Sequence, residues 1–139
     1  MFMRYFIFVV IVSVLIVVSR FAMADSFIVT SNSFNEGDMM KNLYACPENR
    51  QFHLLWNGFP DNTKSFAIIM DDPDAIPVAG FTWVHWNVFD ISSSITSIEE
   101  GQHNISSSTT GMNHFNEKNY LGSYPPPGQV RTYVTCVYA

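Results

Sequence analysis

KSFAIIMDDPDAIPVAGFTWVHWNVFDI, Lys64 to Ile91, holds two apolar runs joined by a turn rich in Asp and Pro. Ser65–Met70 is nearly continuous apolar sequence and predicts a strand buried on both faces. Asp71, Asp72 and Asp74 follow at once, and carboxylates this close repel unless they are solvated or hydrogen-bonded. Pro73 removes a backbone donor and Asp side chains bond nearby N–H groups, so the strand should end there in a tight turn. Thr82–Ile91 is the second strand. Alternation puts Trp83, His85, Asn87 and Phe89 on one face, and Val84, Trp86, Val88 and Asp90 on the other.

Three further segments have strand character: Phe27–Thr30, Phe52–Trp56 and Thr132–Tyr138, each rich in Val, Ile, Phe, Trp or Tyr and bounded by turn formers. Past the N-terminus no window has a helical period, and the best helical guess is a turn or so around Ser94–Glu100. Long polar connections cover Ser31–Cys46, Ser92–Thr110 and Gly111–Gly128, a length usual for functional or poorly ordered loops. The pattern is mostly β, with loops that carry the chemistry.

The 139 residues allow one domain, and 15% aromatic residues supply a core. Twelve Asp+Glu stand against seven Lys+Arg, which excludes the clustered positive charge of a nucleic-acid binder. Residues 1–24 read as a signal peptide. Arg4 gives the positive start, Phe6–Val18 the apolar run, and Ala22-Met23-Ala24 the cleavage site. The uncharged stretch Tyr5–Ser19 is about 22 Å long as a helix, short of a roughly 30 Å hydrocarbon core. Cleavage would leave 25–139 as the domain, with five Lys+Arg against 12 Asp+Glu and a net charge of −7. A periplasmic or secreted protein with no stable membrane insertion after cleavage is expected. In that oxidising compartment Cys46 and Cys136 either pair or remain two separate thiols.

The chemistry-bearing residues each have a structural alternative. Asp72 either belongs to a solvated strand-end turn or turns inward to orient a histidine. His85 either satisfies itself in an aromatic core or lines a pocket wall with Trp83, where a nearby carboxylate would fix its tautomer and raise its pKa. Gly122-Ser123-Tyr124-Pro125-Pro126-Pro127-Gly128 is a rigid loop, suited to a ligand rim or a partner surface. A Ser123–His85–Asp72 triad can be drawn, but no G-x-S-x-G accompanies it. His53, His85, His103 and His114 are scattered without metal-binding spacing, and no cofactor motif occurs.

Taken in order, these segments resemble the phosphatidylethanolamine-binding protein family, which includes the Raf kinase inhibitor proteins, and within it the bacterial secreted branch. The resemblance rests on Cys46-Pro47-Glu48-Asn49, Leu55-Trp56-Asn57-Gly58-Phe59-Pro60 and Lys64-Ser65-Phe66-Ala67 running into Asp71-Asp72-Pro73-Asp74-Ala75. It continues through Phe81–Val88, Gly111-Met112-Asn113, Tyr120-Leu121-Gly122, Pro125–Gly128 and Tyr133. It implies a mostly β fold, with a central antiparallel sheet, a second smaller sheet and few short helices. It also implies a small pocket for phosphate or phospholipid head groups. By motif match Asp72 and His85 are its carboxylate and imidazole, and Trp83 forms a wall. Gly122, Tyr124 and Pro126 belong to the rim, and Tyr133 lies near the floor.

Two positions depart from the family pattern. Arg131 stands where a second pocket histidine is expected, in a loop one residue short. It either replaces that histidine as an anion donor or points to solvent. Ile76 takes the place of the final proline of Asp-Pro-Asp-Ala-Pro, with Pro77 one position later. The chain also stops at Tyr138-Ala139, where relatives continue into further strand and a closing helix, so a C-terminally truncated domain is expected. The function implied is a secreted, non-enzymatic binding protein for a small anion, possessing no cofactor or metal and able to regulate a protein partner. The alternatives are an inhibitor of a hydrolase or kinase acting through its surface, and a hydrolase using Ser123 or a His85-activated water.

Overall fold

A computed structural model describes residues 26–139. The expected signal peptide over 1–24 lies outside the described residues. Seven strands form two antiparallel sheets. The smaller contains β1 (Ile28–Thr30), β2 (Leu54–Asn57) and β5 (Ser97–Ile98) in the order β1-β2-β5. The larger contains β3 (Ser65–Asp72), β4 (Trp83–Ser92), β6 (Thr109–Thr110) and β7 (Val134–Tyr138) in the order β6-β4-β3-β7. This is the mostly β, two-sheet architecture expected from the sequence. All five expected strands form, with bounds shifted by up to two residues.

The core lies where the two sheets meet. Leu54, Trp56 and Ile98 come from the smaller sheet; Phe66, Ile68, Met70, Trp86, Val88, Ile91 and Val137 come from the larger. Tyr44, Phe52, Ile105 and Tyr120 close it from the connections. β3 does not follow the expectation of two buried faces. Phe66, Ile68, Met70 and Asp72 are buried, while Ala67, Ile69 and Asp71 are only half-buried. The reason is that the second face of the larger sheet bears only a shallow 230 Å³ groove, bordered by Ile69, Val84, Phe89 and Met112 among others.

Two irregularities in β4 reset its alternation. Met70 faces Trp86 and Asp71 faces Val84, so His85 is an extra residue, a β-bulge. Farther along, Phe66 faces Ile91 and Ile68 faces Val88, leaving Phe89 and Asp90 opposite Ala67 alone. Asp90 takes a left-handed φ of 57° there. Without that second reset Ile91 would leave the core row of Trp86 and Val88.

The Asp-rich turn is more ordered than a tight turn. Pro73–Ala75 form a 3-10 turn and Ile76–Ala79 a single helical turn, α1, with Pro77 in its first positions and Gly80 in the left-handed closing position. Proline is tolerated there because the first helical N–H groups have no internal partner. Ile76, at the position of the family's final proline, is the first residue of this helical turn. The expected helical turn around Ser94–Glu100 does not form: Ser97 and Ile98 pair with Leu55 and Leu54 as β5. The Ile98 side chain is fully buried, so extended pairing decides the local structure.

Candidate functional site

The site is built where β3 ends opposite the start of β4. Asp72 and Trp83 are direct partners across the ladder, so their side chains share one face. Asp72 continues the inward row of Phe66, Ile68 and Met70, and only 2% of it is exposed. A carboxylate at that depth needs a partner. Arg131 supplies it, with Nη1 donating to Asp72 Oδ2 at 2.9 Å. Arg131 also donates from Nε and Nη2 to Gln129 Oε1, at 3.3 and 3.2 Å. Next to it, the backbone N–H of Thr132 donates to Asp74 Oδ2 at 2.7 Å. Two carboxylates of the Asp-rich turn thus anchor the segment that follows the proline loop. Arg131 therefore does not point to solvent: it forms a partly buried ion pair with Asp72.

His85 is buried at the bulge. Its Nδ1 lies 2.9 Å from the Gly122 carbonyl oxygen, which only accepts, so Nδ1 carries the proton. The Tyr133 ring stands nearly perpendicular to the imidazole at 5.0 Å, and Phe115 lies 5.3 Å away on a second side. Burial lowers the His85 pKa below 6.5, outweighing the opposing effects of the Gly122 carbonyl and the Asp72 charge. The expectation of a carboxylate-oriented imidazole with a raised pKa is therefore corrected. Asp72 is committed to Arg131, a backbone carbonyl sets the tautomer, and desolvation favours the neutral ring.

This correction carries a pH dependence. Because the folded-state pKa lies below the unfolded one, the unfolded chain binds more protons as pH falls below about 6.5. The resulting loss of stability is absent above that pH and complete once pH has passed the folded value. Denaturant unfolding at pH 7.5 and 5.5 should show a decrease that His85→Gln diminishes, and NMR should report an Nδ1–H tautomer titrating below 6.5. A titration at or above 6.5 contradicts this account.

Trp83 packs edge-on against Phe115 at 5.5 Å and His114 at 5.3 Å, and stacks on Phe81 at 5.8 Å. Trp83 and His85 therefore meet the common neighbour Phe115, as the expected shared wall requires. Tyr133 is joined to the rim by its hydroxyl, which accepts the Tyr124 backbone N–H at 3.0 Å. Tyr124 itself is exposed, with its ring 6.4 Å from Phe115. Pro126 is exposed and accepts a turn hydrogen bond from Gln129 N–H; no contact draws it toward His85.

Gly122 has a steric role. A Cβ built on it would fall 2.0 Å from the Tyr44 carbonyl oxygen and 2.7 Å from Ala45 Cα, both backbone atoms. Around it, Cys46 N–H donates to Ser123 O, Gly122 N–H to Asn49 Oδ1, and Tyr120 Oη to Tyr44 O. Gly122→Ala should cost roughly 2–3 kcal/mol and lower Tm by about 10 °C. It should also displace the carbonyl that holds His85. Thermal melts together with the His85 NMR signal check both effects, and an unchanged Tm contradicts them.

Several contributors are not evident from sequence. Asn113 is buried; its amide reaches His85 O at 3.3 Å, and its Oδ1 accepts from Phe115 and Glu117 N–H. It thereby sets the loop that presents Phe115. Its place in Gly111-Met112-Asn113 was the available signal, but nothing in local sequence ties that loop to His85. The drawn triad is not wired together, because Asp72 pairs with Arg131 and His85 Nδ1 with Gly122. Cys46 and Cys136 are both free. Cys46 lies beside Ser123 in the anchored turn and Cys136, on β7, faces Ile69 of β3, so of the two alternatives the structure shows two separate thiols.

Comparison with known proteins identifies the family and the fold. The family model described as phosphatidylethanolamine-binding protein matches residues 30–139. The chain belongs to the phosphatidylethanolamine-binding protein family. A protein of Aquifex aeolicus named UPF0098 is 38% identical over 104 residues, covering 72% of this chain and 59% of the relative. The chain thus spans less than two thirds of that relative's length. The UPF0098 protein YbcL of Escherichia coli is 31% identical, covering 84% of this chain and 69% of its own. The crystal structure of YbcL, described as a member of the mammalian family, superposes with a TM-score of 0.75 at 30% identity over 81% of this chain and 76% of its own.

Proposed function

We propose that this family member is a non-enzymatic binding protein whose Asp72–Trp83–His85–Arg131 site takes a small anion of the phosphate or phospholipid head-group class. The carrying observation is the partly buried Arg131 guanidinium, paired with Asp72, which itself faces Trp83 across the β3–β4 ladder. Its planar fork suits oxyanions, and only some of its N–H groups are used by Asp72 and Gln129. Local donors outweigh a net negative charge that is screened beyond about 8–10 Å. Proteins of the family are generally binding proteins, which supports this reading. Export to the periplasm or beyond, and regulation of a protein partner, belong to the same proposal and rest on the N-terminal sequence and the family resemblance. The test is titration of the folded protein with phosphoethanolamine while observing His85 by NMR. A saturable shift supports the reading, and no shift at millimolar ligand overturns it.

A further inference from the structure

A cavity of 430 Å³ is lined by residues of the first long connection, from Ser31 to Lys41, and shares none with the Asp72–Arg131 site. That volume is in the range of small-molecule pockets. Part of its wall is fixed to the core. The buried Ser33 hydroxyl accepts the His53 N–H at 3.0 Å and donates to Glu100 Oε2 at 3.3 Å. Ser31 Oγ donates to the His53 carbonyl at 2.6 Å and accepts the Ser33 N–H at 3.0 Å. Another part is a closed turn. Asp38 N–H donates to Asn35 O at 3.1 Å, and the Asn35 backbone and side-chain N–H groups both donate to Asp38 Oδ2, at 2.9 and 3.0 Å. Gly37 permits that turn with a left-handed φ of 81°.

Asp38 and Lys41 are the only charged side chains that line the cavity. Neither forms an ion pair, with the other or with any group among the described residues. Asp38 is held through Oδ2, which leaves Oδ1 open as an acceptor. Lys41 Nζ lies 3.5 Å from the Ser33 carbonyl and has no other hydrogen bond among the described residues, so most of its three N–H groups are open. Opposite charges that line one cavity without meeting suit a molecule that carries both. Apolar surface stands beside them. Met39 is 75% exposed, and Phe34 packs edge-on against Phe52 at 5.1 Å. Methionine adapts its shape to what it covers.

We infer that this cavity binds a small zwitterion of the α-amino-acid class with an apolar side chain. Its ammonium lies on Asp38, its carboxylate on Lys41, and its side chain against Phe34 and Met39. A lone anion or cation answers one of the two charges and leaves the other without a counter-ion in the same cavity. No bond is made or broken. The site is separate from the anion site at Asp72 and Arg131, and neither reading depends on the other.

The experiment follows the backbone NMR signals of Asn35, Asp38 and Lys41 in the full chain during titration with L-phenylalanine, phenethylamine and 3-phenylpropionate at neutral pH. The two analogues keep the ring and lack the carboxylate and the ammonium respectively. Phenylalanine should give saturable shifts at millimolar concentration. Each analogue should bind at least about tenfold more weakly, the usual worth of a charge-assisted hydrogen bond. Asp38→Asn keeps an oxygen for the Asn35 N–H and removes the charge, so phenylalanine should then bind no better than 3-phenylpropionate. Lys41→Gln should likewise abolish the preference over phenethylamine. Neither substitution should alter the response of His85 to phosphoethanolamine. The absence of a saturable shift with phenylalanine up to about 20 mM, well above a millimolar Kd, overturns the inference. So does an analogue that binds the wild-type chain as tightly as phenylalanine, or a preference for phenylalanine that survives both substitutions.

Discussion

Arg131→Leu is expected to remove about 3–5 kcal/mol of folding stability at pH 7, the usual cost of stripping one partner from a buried ion pair. Arg131 makes the only side-chain hydrogen bond of Asp72 among the described residues, and the second oxygen of that carboxylate is already without a partner. Removing the guanidinium leaves a deeply buried negative charge with neither hydrogen bond nor counter-charge. The magnitude follows from burial. The Arg50–Glu100 pair has a shorter N···O distance, 2.7 Å, but its side chains are 50% and 34% exposed, against 13% and 3% for Arg131 and Asp72. Solvent screening makes the exposed pair a weak contributor, so Arg50→Leu should leave the unfolding midpoint much nearer wild type.

Urea unfolding distinguishes this account from loss of packing. The Asp72→Leu/Arg131→Leu double variant removes both charges and should recover much of the loss, because well-packed apolar side chains can replace a buried pair at little cost. A single variant that loses under about 1 kcal/mol, or a double variant no better than the single, contradicts the ion-pair account. The double variant should still bind no phosphoethanolamine. Stability and ligand affinity would then separate, as expected for a pair that holds the closing segment and also supplies the site's cation.

The strands were legible from sequence because their apolar residues alternate or run together between turn formers. The direction of Asp72 was left open by the sequence, because the strand was read as ending at Met70 with two buried faces; in the structure the strand runs on and Asp72 extends the inward row Phe66, Ile68, Met70. What the sequence did not disclose lies in register and long-range pairing. The extra residue at His85 becomes a bulge only when β3 is laid against β4. The partner of Asp72 comes from 59 residues away. The identity of Arg131 was plain, but its direction was not, since an arginine after an exposed loop serves equally well in solvent. The Ser94–Glu100 segment misled because its local polarity hid the pairing of Ile98 with Leu54. The family resemblance located Asp72, Trp83 and His85 by order along the chain; it did not specify the His85 tautomer or the pairing of Asp72 with Arg131.

Trp86→Ala is the second large effect, expected at about 3–5 kcal/mol, because it empties the largest volume next to the bulge. Trp86 is 1% exposed, faces Met70 across the ladder and meets Tyr120 edge-on at 5.5 Å. Tyr120 also meets Phe52 at 5.8 Å and donates to the Tyr44 carbonyl, the same oxygen that leaves no room beside Gly122. The cavity would thus lie at one end of a packed chain that leads to the carbonyl holding His85. A domain of this size has a total stability of roughly 5–15 kcal/mol, so the loss is a large fraction of it. Trp86→Phe keeps most of the ring and the edge contact and should cost distinctly less. Chemical unfolding of both variants measures the difference. Where Trp86→Ala remains folded at low temperature, His85 NMR gives a second reading: coupling through Tyr120 predicts a shifted Nδ1–H signal, whereas a purely local cavity leaves it in place. Equal stability losses in the two variants would show that lost volume does not set the cost, and would refute the packing account.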